Sequence, residues 1–110
     1  LERNSAELSR NSAKIAELIE NDGNLLMLNV LDKQYSSAEL LEIVNSARTQ
    51  QKLGRRSSRT FISTTLKKVI ELGLFKPLYP NTPHHPRQKY LVTESGMAYH
   101  KILINEKGTD

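Results

Sequence analysis

The most distinctive chemical feature of the sequence is a stretch between Glu42 and Glu71 that contains seven basic side chains and no acidic one. A run of like charge repels itself unless a polyanion or solvent screens it. The asymmetry continues along the chain: residues 1–54 carry six basic and eight acidic side chains, and residues 55–110 carry ten and four. The stretch indicates either a polyanion-binding surface or a solvated stripe. Its members are Arg48, Lys52, Arg55, Arg56, Arg59, Lys67 and Lys68.

Little in the sequence suggests catalysis or metal binding. Zero cysteines exclude disulfides and thiolate zinc sites and favour a cytoplasmic location. No Gly-rich phosphate loop, His-Glu zinc motif or nucleophile elbow occurs. His84 and His85 are adjacent in a Pro-rich segment, where two histidines rarely converge on one ion, and His100 is distant in sequence. We therefore expect no enzyme activity, metal, cofactor or small-molecule ligand. No apolar run approaches the roughly 20 residues of a membrane helix, so we expect no membrane partner.

The elements that must position the basic residues begin with a predicted helix over residues 1–22. Its apolar side chains recur at helical spacings, but polar residues interrupt the seven-residue repeat and argue against a coiled coil. The helix either packs on its own domain or pairs with the same helix of a second copy. We slightly favour the second, which predicts a dimer interface at Leu8, Ile15, Leu18 and Ile19.

We predict that residues 23–105 form one domain, which follows the N-terminal helix. A turn at residues 21–24 precedes an apolar segment, residues 25–31, that is expected to form a central buried helix. Ser36 and Glu39 have the spacing of a capping box, so a helix with one apolar stripe starts there and ends near Ala47.

A fourth helix is predicted over residues 58–72, with Ser57 or Ser58 as its cap and Gly73 at its end. Successive side chains of an α-helix are rotated by about 100° around its axis, so the side chains of this helix fall on two faces. The inward face holds Phe61, Ile62, Leu66, Val69 and Ile70, and the polar face holds Thr60, Ser63, Thr64, Lys67 and Lys68.

After Gly73 the pattern changes to that of strands. Residues 74–79 and 89–93 indicate a hairpin, with Pro77 restricting the first strand to an edge or to a short ladder. A Pro-rich loop joins them. A final helix starts at residues 93–95, and residues 106–110 are expected to form a frayed tail.

This order of elements resembles a winged helix-turn-helix domain. The segment Tyr90-Leu91-Val92-Thr93-Glu94-Ser95-Gly96 is similar to the Tyr-x-Leu-Thr-x-x-Gly segment that closes the wing in many MarR-like and PadR-like regulators. The segment from Val69 to Phe75 looks like a recognition helix running into the first wing strand. The resemblance covers residues 24–105 and implies a mainly α fold with a small β-hairpin, a single domain with an extra N-terminal helix. Two features depart from it: a long loop from Arg48 to Ser57 and a Pro-rich wing.

The resemblance implies sequence-specific binding of double-stranded DNA by a homodimer. Residues 58–72 become the recognition helix in the major groove, and the wing, residues 79–89, lies at its flank. Hydroxyls and one arginine at the helix start would meet base edges or the phosphates bordering the groove, and later lysines would meet phosphates. The arginine pair ahead of the helix would clamp the backbone, and the two cations beside the wing tip would contact the minor groove or the backbone. The implied contacts are Arg55, Arg56, Arg59, Thr60, Ser63, Thr64, Lys67, Lys68, Arg87 and Lys89.

Three functions use this surface. The first is transcription regulation, and the second is plasmid partition or replication, in which a compact protein of the same fold binds repeated sites. The third is a winged-helix protein–protein interaction module, whose basic face meets an acidic protein. Salt dependence of binding separates the DNA functions from the third, because phosphate contacts release counterions.

Overall fold

The computed structural model describes the backbone of residues 2–108 and the side chains of residues 11–106. The chain is mainly helical with a small antiparallel sheet of three strands, which agrees with the expected helix-rich domain and its hairpin. The helices are α1 (Glu2–Asn29), α2 (Ser37–Gln50), α3 (residues 58–71) and α4 (Glu94–Gly108). The strands are β1 (Gln34–Tyr35), β2 (Phe75–Pro77) and β3 (Tyr90–Val92).

Helix α1 is broken at Glu20, whose backbone angles are φ 61° and ψ −171°. This region of backbone space favours glycine, so Glu20 is strained and the surrounding contacts must hold it. The side-chain amide of Asn24 donates to the carbonyls of Ala16 (2.9 Å) and Glu20 (2.8 Å) at the break. The turn predicted at residues 21–24 is therefore a break between two halves of one helical segment, at the predicted domain boundary.

The second half of α1 forms the centre of the core, as its apolar composition predicts. Leu26 and Met27 in this half and Val30 directly after it are completely buried, while Leu31 is exposed. Helices α2 and α4 both pack against α1. The core around it contains Ile19, Tyr35, Leu40, Val44, Phe61, Leu66, Val69, Leu74, Phe75, Val92 and Tyr99.

The buried Tyr99 ties α4 to the break in α1. Its hydroxyl donates to the side-chain oxygen of Asn24 over 2.6 Å. Burial, and then the nearby charge of Glu106, raise the pKa of Tyr99 to about 12. Helix α4 continues to Gly108, so the tail predicted over residues 106–110 is wrong at 106–108. The helix is held there because Leu103, one turn earlier, packs against the core; residues 109–110 lie outside the described part.

The sheet has the order β1-β3-β2. Strands β2 and β3 form the predicted hairpin, and Pro77 lies on an edge strand as expected. Strand β1 was not predicted, because it has only two residues and its partners, Leu91 and Tyr90, lie far along the chain.

Two caps fix the starts of α2 and α4. The Glu39 amide donates to the Ser36 hydroxyl (3.1 Å), and the Ser36 amide donates to the Glu39 carboxylate (2.8 Å), which confirms the capping box. Helix α2 ends at Gln50 and not near Ala47. The hydroxyl of Thr93 accepts from the Gly96 amide (2.9 Å) and caps α4.

The predicted dimer residues divide into three groups. Ile19 is 2% exposed and belongs to the core of its own chain, so its assignment to a dimer interface is wrong. It was misplaced because the helical spacing does not show the break at Glu20, beyond which Gly23 lies directly against the Ile19 side chain. Ile15 is half-buried, and Leu18 is 45% exposed. The side chain of Leu8 lies outside the described residues.

Candidate nucleic-acid interface

Helix α3 has a composite backbone. It begins with one α-helical turn (Ser58–Thr60), continues as a π-helix (Phe61–Leu66) and ends as an α-helix (Lys67–Glu71). The hydroxyl of Ser57 accepts from the Thr60 amide (3.2 Å), so Ser57 and not Ser58 is the cap. Gly73, with φ 76°, ends the helix, as predicted.

The two faces of α3 largely follow the sequence pattern. Phe61, Leu66 and Val69 are buried in the core. The side chains on the opposite face are exposed, apart from Lys68, which is half-buried. The exposed members are Arg59, Thr60, Ser63, Thr64 and Lys67.

Ile62 departs from the predicted pattern. It was expected on the inward face, but it is 44% exposed. In a π-helix each amide bonds to the carbonyl five residues earlier, so the turn holds more residues than an α-helical turn. The rotation per residue between Phe61 and Leu66 is therefore smaller than about 100°, the value for an α-helix. The core-facing side of the helix is shifted as a result, and Ile62 lies outside the core.

Hydroxyls on the exposed face already donate within the helix. Ser63 and Thr64 both donate to the carbonyl of Thr60, over 3.3 and 2.6 Å. Their oxygen lone pairs are therefore the groups left for a partner. Acceptors of this kind match the amino groups that adenine and cytosine present in the major groove.

A buried ion pair fixes the loop that leads into α3. The Asp22 carboxylate accepts from Arg48 Nη1 (2.5 Å) and from Arg56 Nε (2.7 Å). The side chains of Asp22 and Arg48 are 11% and 10% exposed. Arg48 Nε also donates to the carbonyl of Gly54 (2.6 Å), so one guanidinium joins α1, α2 and the loop.

Asn45 completes this positioning network. It is buried, its amide nitrogen donates to the Arg56 carbonyl (3.1 Å), and its oxygen accepts from the Arg56 amide (2.7 Å). Sequence reasoning missed the roles of Asn45 and Asp22, and it treated Arg48 as part of the basic surface. A signal was present: Arg48 follows Leu40 and Val44 at spacings of four residues, which places it on the buried stripe of α2.

Four of the predicted DNA contacts pair with acidic groups of the same chain. Besides Arg56, these are Arg55 with Glu42 (2.9 Å), Lys68 with Glu20 (2.6 Å) and Lys89 with Glu39 (3.7 Å). Lys68 also lines a cleft of about 300 Å³ between the break in α1 and the Thr60 and Thr64 side of α3. A phosphate would have to displace Glu20 to reach Lys68.

Three predicted cations remain available. Within the part of the chain that the structure describes, Arg59, Lys67 and Arg87 form no ion pair and their side chains are exposed. Arg59 and Lys67 lie on the same helix as the exposed hydroxyls. The structure therefore brings together part of the predicted set on α3 and leaves Lys89 beside α2.

The Pro-rich loop between β2 and β3 is more ordered than its composition suggests. The rings of Tyr79 and His85 stack with centroids 3.8 Å apart. The side chain of Gln88 accepts from the Tyr79 amide (2.9 Å) and donates to its carbonyl (3.0 Å). The Arg87 amide donates to Nδ1 of His85 (2.9 Å). The backbone of Arg87 is therefore held by hydrogen bonding within the loop.

The described residues contain no group of three or more histidine, cysteine, aspartate or glutamate side chains placed to hold a metal ion. Among the same residues, none of the helices has the length and apolar character needed to span a bilayer. No protein family model, curated protein or solved structure matches this chain.

Proposed function

We propose that the protein binds double-stranded DNA in a sequence-specific manner as a winged helix domain, with α3 in the major groove and the wing at its flank. The order of helices around the β2–β3 hairpin and the Thr93-to-Gly96 segment both support the winged-helix interpretation. Transcription regulation is the proposed role. Plasmid partition or replication uses the same surface and differs in the arrangement of sites, which would be repeated.

The observation that carries the proposal is the exposed face of α3. It combines hydroxyl acceptors with Arg59 and Lys67, two cations that have no ion-pair partner among the described residues, and its inward face is anchored by buried apolar side chains. Cations bind phosphates without regard to sequence, whereas arginines and hydroxyls can discriminate base edges. A surface with both kinds of group suits a duplex better than a uniformly basic stripe does.

A homodimer is part of the proposal, because a two-fold dimer would read two half-sites about one helical turn apart. Among the predicted interface residues whose side chains the structure describes, Leu18 is the exposed one, at 45%. Selection of bound sequences from random duplex DNA tests site and symmetry together. A recovered pseudo-palindrome supports a dimer, and a recovered single half-site contradicts it.

Titration of the selected duplex at several salt concentrations tests the phosphate contacts. Replacing Lys67 with glutamine should weaken all duplexes alike and reduce the slope of log affinity against log salt by about 0.9, the value for one phosphate that is no longer neutralised. Lys101→Gln, an exposed lysine on α4, is the matched control and should leave the slope unchanged. Lys68→Gln should have a smaller effect than Lys67→Gln, because Glu20 already neutralises Lys68.

A protein–protein interaction module is the second candidate, favoured by the chain's own pairing of Arg55 and Arg56 with acidic residues. Such pairs indicate that the basic region accepts carboxylates as partners. Absence of duplex binding at low salt, or an affinity that salt does not change, would favour this module and contradict the DNA proposal.

A further inference from the structure

The exposed face of α3 carries one large apolar side chain. Ile62 is 44% exposed and follows the exposed Arg59 by three residues, directly before the exposed Ser63 in the sequence. The α-helical phase would have turned this isoleucine inward, and the π-helical segment leaves it outside. The chain therefore displays a branched apolar group within the surface that the proposed function directs toward DNA.

A partner for this side chain must be apolar and must sit within a polyanionic surface. In the major groove a duplex presents hydrogen-bonding edges and, at thymine, a methyl group on C5. That methyl group is the apolar contact that the groove offers to an aliphatic side chain. The cations Arg59 and Lys67 on the same helix match the phosphates that border the groove.

We propose that Ile62 is a specificity-determining residue that packs on the 5-methyl group of a thymine in the recognised sequence. The inference rests on the proposed function, since it requires α3 to enter the major groove. It adds a stated chemical preference: each half-site contains a thymine whose methyl group contributes to affinity. The hydroxyls of Ser63 and Thr64 supply neighbouring hydrogen-bonding contacts.

Deoxyuridine substitution tests the inference, because it removes only the methyl group from a thymine. Each thymine of the selected duplex is replaced in turn, and the affinity is measured by fluorescence anisotropy. At one position in each half-site we expect the wild-type protein to bind about fourfold more weakly, the size of effect expected for one buried methyl group. Ile62→Ala should bind the thymine and deoxyuridine duplexes equally at that position.

Two variants control for general effects on folding and packing. Ile62→Val keeps a branched side chain and should keep part of the thymine preference. Leu31→Ala removes another exposed apolar side chain, 65% exposed and distant from α3 in sequence, and should keep all of it. Circular dichroism establishes that each variant is folded.

The outcomes separate the inference from the proposed function. Duplex binding with no thymine-dependent position, or with the same deoxyuridine penalty in wild type and Ile62→Ala, overturns the role of Ile62 and leaves DNA binding intact. Failure of the wild-type protein to bind any duplex overturns the proposed function and this inference together.

Discussion

Replacing Asp22 with asparagine should strongly destabilise the protein, although Asp22 is one charge among many. The substitution preserves the size of the side chain and removes its charge. Asp22 lies between Arg48 and Arg56, at 2.5 and 2.7 Å, and its own side chain is 11% exposed. Without the carboxylate, the Arg48 guanidinium stays buried with no opposing charge.

The expected magnitude follows from burial. Removing one partner of a buried ion pair destabilises by about 3–5 kcal/mol, because the remaining charge is uncompensated. Arg56 is 43% exposed, so solvent screens its contribution. Asparagine retains one acceptor oxygen, and we therefore expect a loss near the lower end, about 3 kcal/mol. This is a large share of the ~5–15 kcal/mol that stabilises a typical domain.

Urea unfolding followed by circular dichroism measures this loss. With a slope of about 1–3 kcal/mol per molar, the midpoint of Asp22→Asn should fall by about 1–3 M. Glu42→Gln is the matched control, because the Arg55–Glu42 pair has a similar distance, 2.9 Å, but side chains that are 59% and 62% exposed. Exposed pairs contribute about 0–1 kcal/mol, so the control midpoint should barely move.

A double substitution checks the proposed cause. Adding Arg48→Met to Asp22→Asn removes the unpaired buried charge and should recover part of the stability. Equal and small effects of Asp22→Asn and Glu42→Gln would refute the reasoning, because they would mean that burial does not control the strength of this pair.

Two further predictions concern backbone packing and pH. Gly96→Ala should lower the stability by about 2 kcal/mol and the melting temperature by about 10 °C, because a Cβ at this position would overlap the Leu74 carbonyl oxygen. The control is Gly54→Ala, which should change neither quantity because the space around Gly54 is open. Backbone and side-chain hydrogen bonds from Ser36 hold the pKa of Glu39 below its ordinary value of 4.5. Ionised Glu39 therefore stabilises the fold above pH 4.5, and this contribution disappears as the pH falls through the lowered pKa. Glu39→Gln should flatten the acid side of the curve of unfolding free energy against pH, and an unchanged curve would contradict the capping role.

Features that depend on neighbours in sequence could be predicted. The capping box at Ser36 and Glu39 and the end of α3 at Gly73 are set by a few adjacent residues, and both are confirmed. The buried second half of α1 follows from its nearly continuous apolar composition. The cap and the helix end involve hydrogen bonds between residues within one turn, and a nearly continuous apolar segment must be buried whichever elements surround it.

Features that depend on distant partners could not be predicted in the same way. Strand β1 exists because Gln34 and Tyr35 pair with β3, which is near the other end of the chain. Arg48 looked like surface charge because its partner, Asp22, lies in a different helix. The exposure of Ile62 depends on a π-helical segment, and a helical wheel assumes that no such segment occurs.

The basic residues between Glu42 and Glu71 have two different roles, and these roles explain why they lie close together in the sequence. Arg48 and Arg56 are bound internally and fix the loop ahead of α3, whereas Arg59 and Lys67 are displayed by the helix that this loop positions. In a solvated stripe such fixation adds stability to the fold and nothing further, because water and counterions adapt to any arrangement of charge. A partner with regularly spaced charges does gain, since groups held in place lose less conformational freedom on binding. The buried carboxylate of Asp22 therefore supports the DNA proposal because it fixes the loop that positions the helix.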